Sequence, residues 1–181
     1  MHATDRERRT HVVPRRPRPR ATDDVQLHRD LAAARTVVIA AAAASAALRL
    51  DEAALLCELR GLAHAADCGR AALALDGFVG DEHRFDVAIG ELSGNQQFAV
   101  ILSGLAAQQQ CGLRASVGPA DVRTALMSAR AETLAAILSG DARSASDAAT
   151  RRARLSLRVT LDAVRTAPEA QVIALRVVHR A

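Results

Sequence analysis

Phe78-Val-Gly-Asp-Glu82-His-Arg-Phe85-Asp86-Val-Ala-Ile89-Gly-Glu-Leu92-Ser93-Gly94-Asn95 is the stretch on which the fold turns. At helical spacing Phe78, Phe85, Ile89 and Leu92 make one apolar stripe, and Ser93-Gly94-Asn95 then breaks the helix. Glu82 lies on that stripe and Asp86 beside it, so two carboxylates point toward a core. A buried carboxylate is costly unless a cation, a metal or a hydrogen-bond donor meets it. The helix therefore requires partners from other helices, and this is where a binding site is expected.

Composition sets the wider frame. The 181 residues suit one domain with room for a core and a separate end. All 24 basic residues are Arg, Trp and Tyr are absent, there are three Phe and Ala is abundant. Such a core is built from Leu, Val, Ile and Ala on closely packed helices, which predicts an all-α protein. Cys57, Cys68 and Cys111 are odd in number and have no metal-ligand spacing, so thiols in a reducing cytoplasm are expected rather than disulfides. The run Thr36 to Leu48 is too short and Ala-rich to span a bilayer and reads as a buried helix; no membrane partner is expected.

The basic character belongs to one end. Residues 1–20 hold seven Arg against Asp5 and Glu7, whereas the remainder holds 17 Arg against 18 acids. With Pro14, Pro17 and Pro19 interleaved, residues 1–24 read as an Arg/Pro-rich arm or linker. Phosphate contacts from this arm and simple solvation are equally compatible with it. The punctuation that follows predicts six helices: Val25 to Leu48, Glu52 to Ala66 behind Asp51, Arg70 to Leu92, Gln96 to Leu113, a fifth from Gly118-Pro119-Ala-Asp121 to Ser139-Gly140, and Ala142 to Arg165. These make an antiparallel helical bundle over residues 25–165. Residues 166–181 are a C-terminal tail, with Val172-Ile-Ala-Leu-Arg-Val-Val open between strand, helix and disorder.

Inward charge recurs on the other helices. Arg130 falls between Leu126 and Leu134, Arg152 interrupts the stripe Ala145, Ala148, Leu155 and Val159, and Arg35 sits four after Leu31 and three before Val38. Any one of these guanidinium groups could snorkel to water along its aliphatic stem. Three Arg and two acids on inward stripes of separate helices point instead to one site. Arg151, Arg154 and Arg158 occupy a different, solvated face.

At these residues the chain resembles the FCD effector domain of GntR-type bacterial transcription regulators. Phe78-x3-Glu82-x2-Phe85-Asp86-x8-Asn95 is similar to that family's metal-ligand helix, whose usual pattern is F-x3-D-x2-F-H-x8-N. Leu31-Ala-Ala-Ala-Arg35 resembles its opening helix, Leu50-Asp-Glu-Ala the start of its second, and Ala129 to Asp141 its segment ending in Gly-Asp. Arg151-Arg152-Ala falls where the final helix carries another His. In family members an Asp and three His hold a divalent metal, and the metal with a nearby Arg holds a small carboxylate effector.

The resemblance implies that the same four positions here are Glu82, Asp86, Arg130 and Arg152. Arg stays protonated and has no lone pair for a metal, so no metal and no cofactor is expected. Two guanidinium groups bring the two positive charges the metal would have supplied and can pair with both carboxylates. His83, one residue off register, falls at the surface or rim. Arg35, Glu82, Asp86, Arg130 and Arg152 are the expected ligand-binding residues. Arg9-Thr-His-Val-Val-Pro-Arg-Arg resembles the exit of a winged helix-turn-helix that these 181 residues do not hold, so DNA would be read only by a part absent from them.

Two functions remain: a cytoplasmic, homodimeric effector-sensing domain that binds a small carboxylate or other anionic metabolite without a metal, or a non-sensing dimerisation module with an internal Arg/carboxylate cluster. An enzyme is not expected, because no Ser/His/Asp or Cys/His arrangement, phosphate loop or zinc signature is present.

Overall fold

The computed structural model describes residues 21–63 and 75–166, without the side chains of residues 21–24, 76 and 111. The described residues form six helices and no strand: α1 (Ala21–Ala46), α2 (Ala53–Ala63), α3 (Leu75–Leu92), α4 (Gln96–Ser116), α5 (Ala120–Leu138) and α6 (Ala142–Thr166). The all-α expectation is met, and the helix order is the one read from the punctuation. The basic arm before Ala21, the end of helix two, the start of helix three, Cys68 and the tail beyond Thr166 lie outside the described residues.

Helix ends follow local chemistry. Asn95 caps α4 by accepting from the Gln97 N–H at 3.1 Å, and Gly94 before it takes φ 75°, a left-handed conformation that glycine adopts at no steric cost. Gly140, at φ 72°, makes the corresponding turn between α5 and α6, where Asp141 accepts from the Arg143 N–H at 3.0 Å and the Ser144 hydroxyl at 2.6 Å. Connections this short fold α4 back along α3 and α6 back along α5. Two details differ from the reading by punctuation. α1 begins before Asp23 and Asp24, so these open its first turn rather than precede it. Asp51 meets Ala53 N–H through its backbone carbonyl at 3.0 Å.

α6 and α1 lie side by side, α6 also touches α4 and α5, and α3 is packed on α1, α2 and α4. The buried apolar residues divide into two groups. The larger joins Ile39, Ala42, Ala43 and Ala46 of α1, Leu59 of α2, Phe85, Ile89 and Leu92 of α3, Leu102 of α4, Ile137 of α5 and Ala149 of α6. The smaller holds Phe78, Val79, Val117 and Leu126, with Leu113, Leu155 and Val159 against them. Ala is the commonest residue on the buried faces of α1 and α6, which lets their axes approach closely. No described helix is long and apolar enough to cross a membrane.

α3 and α4 approach closely at Gly90, where an added Cβ would stand 2.7 Å from both the Ala99 Cα and the Ala99 nitrogen. Gly104, on the outer side of α4, faces open space. Gly90→Ala should therefore force the two helices apart and lower stability by about 1–3 kcal/mol. Gly104→Ala should raise it by up to about 1 kcal/mol through helix propensity. Urea melts of both variants check this opposite response.

Candidate functional site

The two apolar groups are separated by a layer of charge. Along α3 Glu82 and Asp86 fall between Phe78 and Ile89, along α5 Arg130 falls between Leu126 and Leu134, and along α6 Arg152 falls between Ala149 and Leu155. Arg35 enters from α1, one turn before Ile39. All five expected residues are thus brought together, each by its inward helical spacing. None snorkels: relative exposures are 5% for Arg35, 1% for Glu82, Asp86 and Arg130, and 0% for Arg152. Arg151, Arg154 and Arg158 are exposed, as their face of α6 requires.

The five side chains form one alternating chain of charge. Arg35 Nε donates to Asp86 Oδ2 at 2.6 Å. Arg152 bridges the carboxylates, with Nη1 donating to Glu82 Oε2 at 2.9 Å and Nη2 to Asp86 Oδ1. Arg130 Nε closes the far end on Glu82 Oε1. Each of the four carboxylate oxygens therefore accepts from a guanidinium. Arg130 also donates from Nη1 to the Leu62 carbonyl at 3.1 Å and from Nη2 to the Phe78 carbonyl at 3.4 Å. Leu62 is in the last turn of α2, so this guanidinium serves a helix C-terminus as well as Glu82. Arg130 stands over the Phe78 ring at 4.9 Å and Arg152 over the Phe85 ring at 4.8 Å, which recovers cation–π attraction in a buried site.

The electrostatics follow from that geometry. Burial pushes the Asp86 carboxyl up, but the charges of Arg152 and Arg35 and their hydrogen bonds overcome it and hold the carboxyl below its usual value of 3.8. Burial pulls Arg152 down, and Asp86 with Glu82 outweighs it, so the guanidinium holds its proton more tightly than an ordinary arginine. Three cations against two anions leave the chain with one positive charge. Among these five side chains, Arg152 Nε is fully buried without a hydrogen-bond partner.

Beside the chain lies a cavity of about 30 Å³, bounded by Arg35 from α1, Glu82 and Asp86 from α3, and α4 and α6 on the far side. A water needs at least about 10–15 Å³, so the space suits two waters or a small anion. Arg35 spends Nε on Asp86, and its terminal nitrogens have no partner among the described residues. His83, expected at a surface or rim, is half-buried and lines this cavity, and its Nδ1 is buried without a hydrogen-bond partner. The sequence reading missed the other polar residues of the lining, His28, Gln109, Gln110, Ser156 and Thr160, which alternate with apolar side chains such as Val79 and Leu113. For Ser156 and Thr160 a signal was present, four and eight residues after Arg152 on the same face of α6. At Gly112 an added Cβ would stand 2.8 Å from the Thr160 methyl and 2.9 Å from the His28 ring, which draws α4 against α1 and α6 at this point.

The described residues thus form a helical bundle with an inward row of five ionised side chains and a small cavity beside it. The chain belongs to the FCD domain family, whose sequence model matches residues 30–155. It is the effector domain of a GntR-type regulator, a regulatory and non-catalytic class. No curated protein and no solved structure matches it. The family's metal does not fit these residues. Two positions that would ligate are guanidinium, the four carboxylate oxygens are engaged, and no group of three or more His, Cys, Asp or Glu able to hold a metal occurs among the described residues.

Removal of Arg152 takes one of the two guanidinium partners from each buried carboxylate and leaves Glu82 and Asp86 facing each other, so Arg152→Met should cost about 3–5 kcal/mol in a denaturant melt at neutral pH. The Asp86 contribution, from a depressed folded value, is present above the unfolded value near 3.8 and lost as pH falls through the folded one. An Asp86→Asn protein should accordingly be less stable at neutral pH and show a shallower acid limb. A chelator should leave the melting temperature of the purified protein unchanged. Stoichiometric metal in elemental analysis is the result that contradicts that last expectation.

Proposed function

We propose that this domain senses a small carboxylate or other anionic metabolite, with guanidinium groups in place of the family's metal. The observation that carries the reading is Arg35. It stands on the wall of the cavity, bound to Asp86 through Nε alone, in a site whose charge is positive by one unit. Arg152 and Arg130 hold Glu82 and Asp86 in fixed positions, so the two acids cannot neutralise Arg35 further. An anion entering between α1, α4 and α6 meets the free side of that guanidinium and nearby amides and hydroxyls.

In a GntR-type regulator a helix-turn-helix reads the DNA, and the effector domain biases it. The domain is proposed to pair with a second copy, as members of the family typically do. Exposed Val37 on α1 and Val100 and Ile101 on α4 supply uncharged surface on two helices that touch each other. On this reading the protein works in the cytoplasm, and residues 25–165 are the functional unit.

A second reading rests on the complete engagement of all four carboxylate oxygens. On it the five side chains are a closed structural cluster, and the protein is a dimerisation module that senses nothing. A thermal-shift panel of small carboxylates and inorganic anions separates the two. Sensing predicts at least one anion that raises the melting temperature at constant ionic strength, with the shift lost in Arg35→Ala. A closed cluster predicts no shift with any anion, together with destabilisation of unliganded Arg35→Ala by about 3 kcal/mol or more.

A further inference from the structure

The outer face of α6 carries a row of cations without counterions among the described residues. Arg151, Arg154 and Arg158 are exposed, and at 3.6 residues per turn they fall within about 60° of one another over about 10 Å of helix. None of the three guanidinium groups has an ion-pair or hydrogen-bond partner among the described residues, whereas at other places on the surface Arg49 meets Glu52, Arg84 meets Glu58 and Arg165 meets Asp162. Asp147 and Asp162 stand four residues beyond either end of the row, and no acid of α6 lies between them. Residues 21–181 hold 17 Arg against 18 acids, so the row is a local separation of charge and not a sample of a basic surface. The entry of the chain adds to it. Gly140, just before α6, lies by the Ala47 carbonyl just after α1, and Thr160 and His28 both lie against Gly112. α1 and α6 are therefore antiparallel, and Ala21, where residues 1–20 with their seven Arg join α1, is at the end where α6 finishes.

We propose that this face of α6 docks on the phosphate backbone of double-stranded nucleic acid without reading its sequence, in company with the basic arm. Phosphates recur at short fixed intervals along a duplex, and guanidinium groups spaced along one ridge can each take one through paired N–H groups. Such contacts position a protein and carry no base information. A single strand is held largely by stacking on aromatic side chains, and here Trp and Tyr are absent while Phe78 and Phe85 are buried. Docking on a lipid surface draws on apolar side chains beside the charge, and none of the exposed large apolar residues belongs to α6. The row faces away from Arg152, Ser156 and Thr160 on the same helix, so it is independent of the cavity and of any ligand there.

Fluorescence anisotropy of a short labelled duplex, titrated with the whole chain between about 50 and 200 mM salt, is the test. Each phosphate contact adds about 0.9 to the slope of log K against log salt, so the triple variant Arg151→Gln, Arg154→Gln, Arg158→Gln should lose about 2 to 3 from that slope and bind at least about tenfold more weakly at the low-salt end. The same loss should appear when Arg15, Arg16, Arg18 and Arg20 are already Gln, which separates the ridge from the arm. The melting temperature of the triple variant should match the wild type, because no pair is broken. Wild-type affinity and slope in the triple variant would assign any duplex binding to the arm alone and overturn the role of α6. Three further results would overturn it as well: no duplex binding by the wild type at low salt, equal binding to poly-glutamate or to vesicles of equal parts phosphatidylcholine and phosphatidylglycerol, or a preference for one duplex sequence that the triple variant loses.

Discussion

Five ionised side chains withdrawn from water must satisfy one another, and that requirement fixes how the helices of this protein meet. Each charge taken from water costs several kcal/mol after relaxation. The structure offsets that cost by alternation: Arg35, Asp86, Arg152, Glu82 and Arg130 follow one another so that every carboxylate lies between two cations. Because the members come from α1, α3, α5 and α6, the chain ties the register of four helices together. Apolar burial supplies the bulk of the stability on either side of the layer, and the layer supplies the alignment.

The same chain shows why its residues do not suit the metal that the family resemblance implies. A divalent ion and two guanidinium groups carry equal charge, but they distribute it differently. The ion gathers its ligands around one point, whereas Arg152 and Arg130 are flat and directional and spread the contact from α3 to the end of α2. What this leaves beside Arg35 is a space of about 30 Å³.

Much of this was legible in the chain itself. Ser93-Gly94-Asn95 and Ser139-Gly140-Asp141 announce their turns because glycine, asparagine and aspartate have few alternative uses there. The inward arginines were legible because helical spacing is strict: Arg130 four residues from both Leu126 and Leu134 has one direction to face. Gln109 and Gln110 were not, since α4 has no charge before Arg114 that would mark which of its polar residues turn inward. The bonds from Arg130 to the Leu62 and Phe78 carbonyls were invisible for a different reason, because backbone acceptors carry no residue-type signature. His83 was placed at the rim by angle, and its unmet Nδ1 depends on what α4 and α6 do not bring to it.

The odd number of members in the charge chain also constrains its ancestry and its descendants. In an alternating row bounded by cations, changing any interior residue leaves neighbours of like charge facing each other or a carboxylate alone in the core. Stepwise exchange between an imidazole-lined metal site and this guanidinium-filled one therefore crosses intermediates less stable than either end. Arg152, the central cation, is therefore the member whose replacement calls for a compensating change at Glu82 or Asp86.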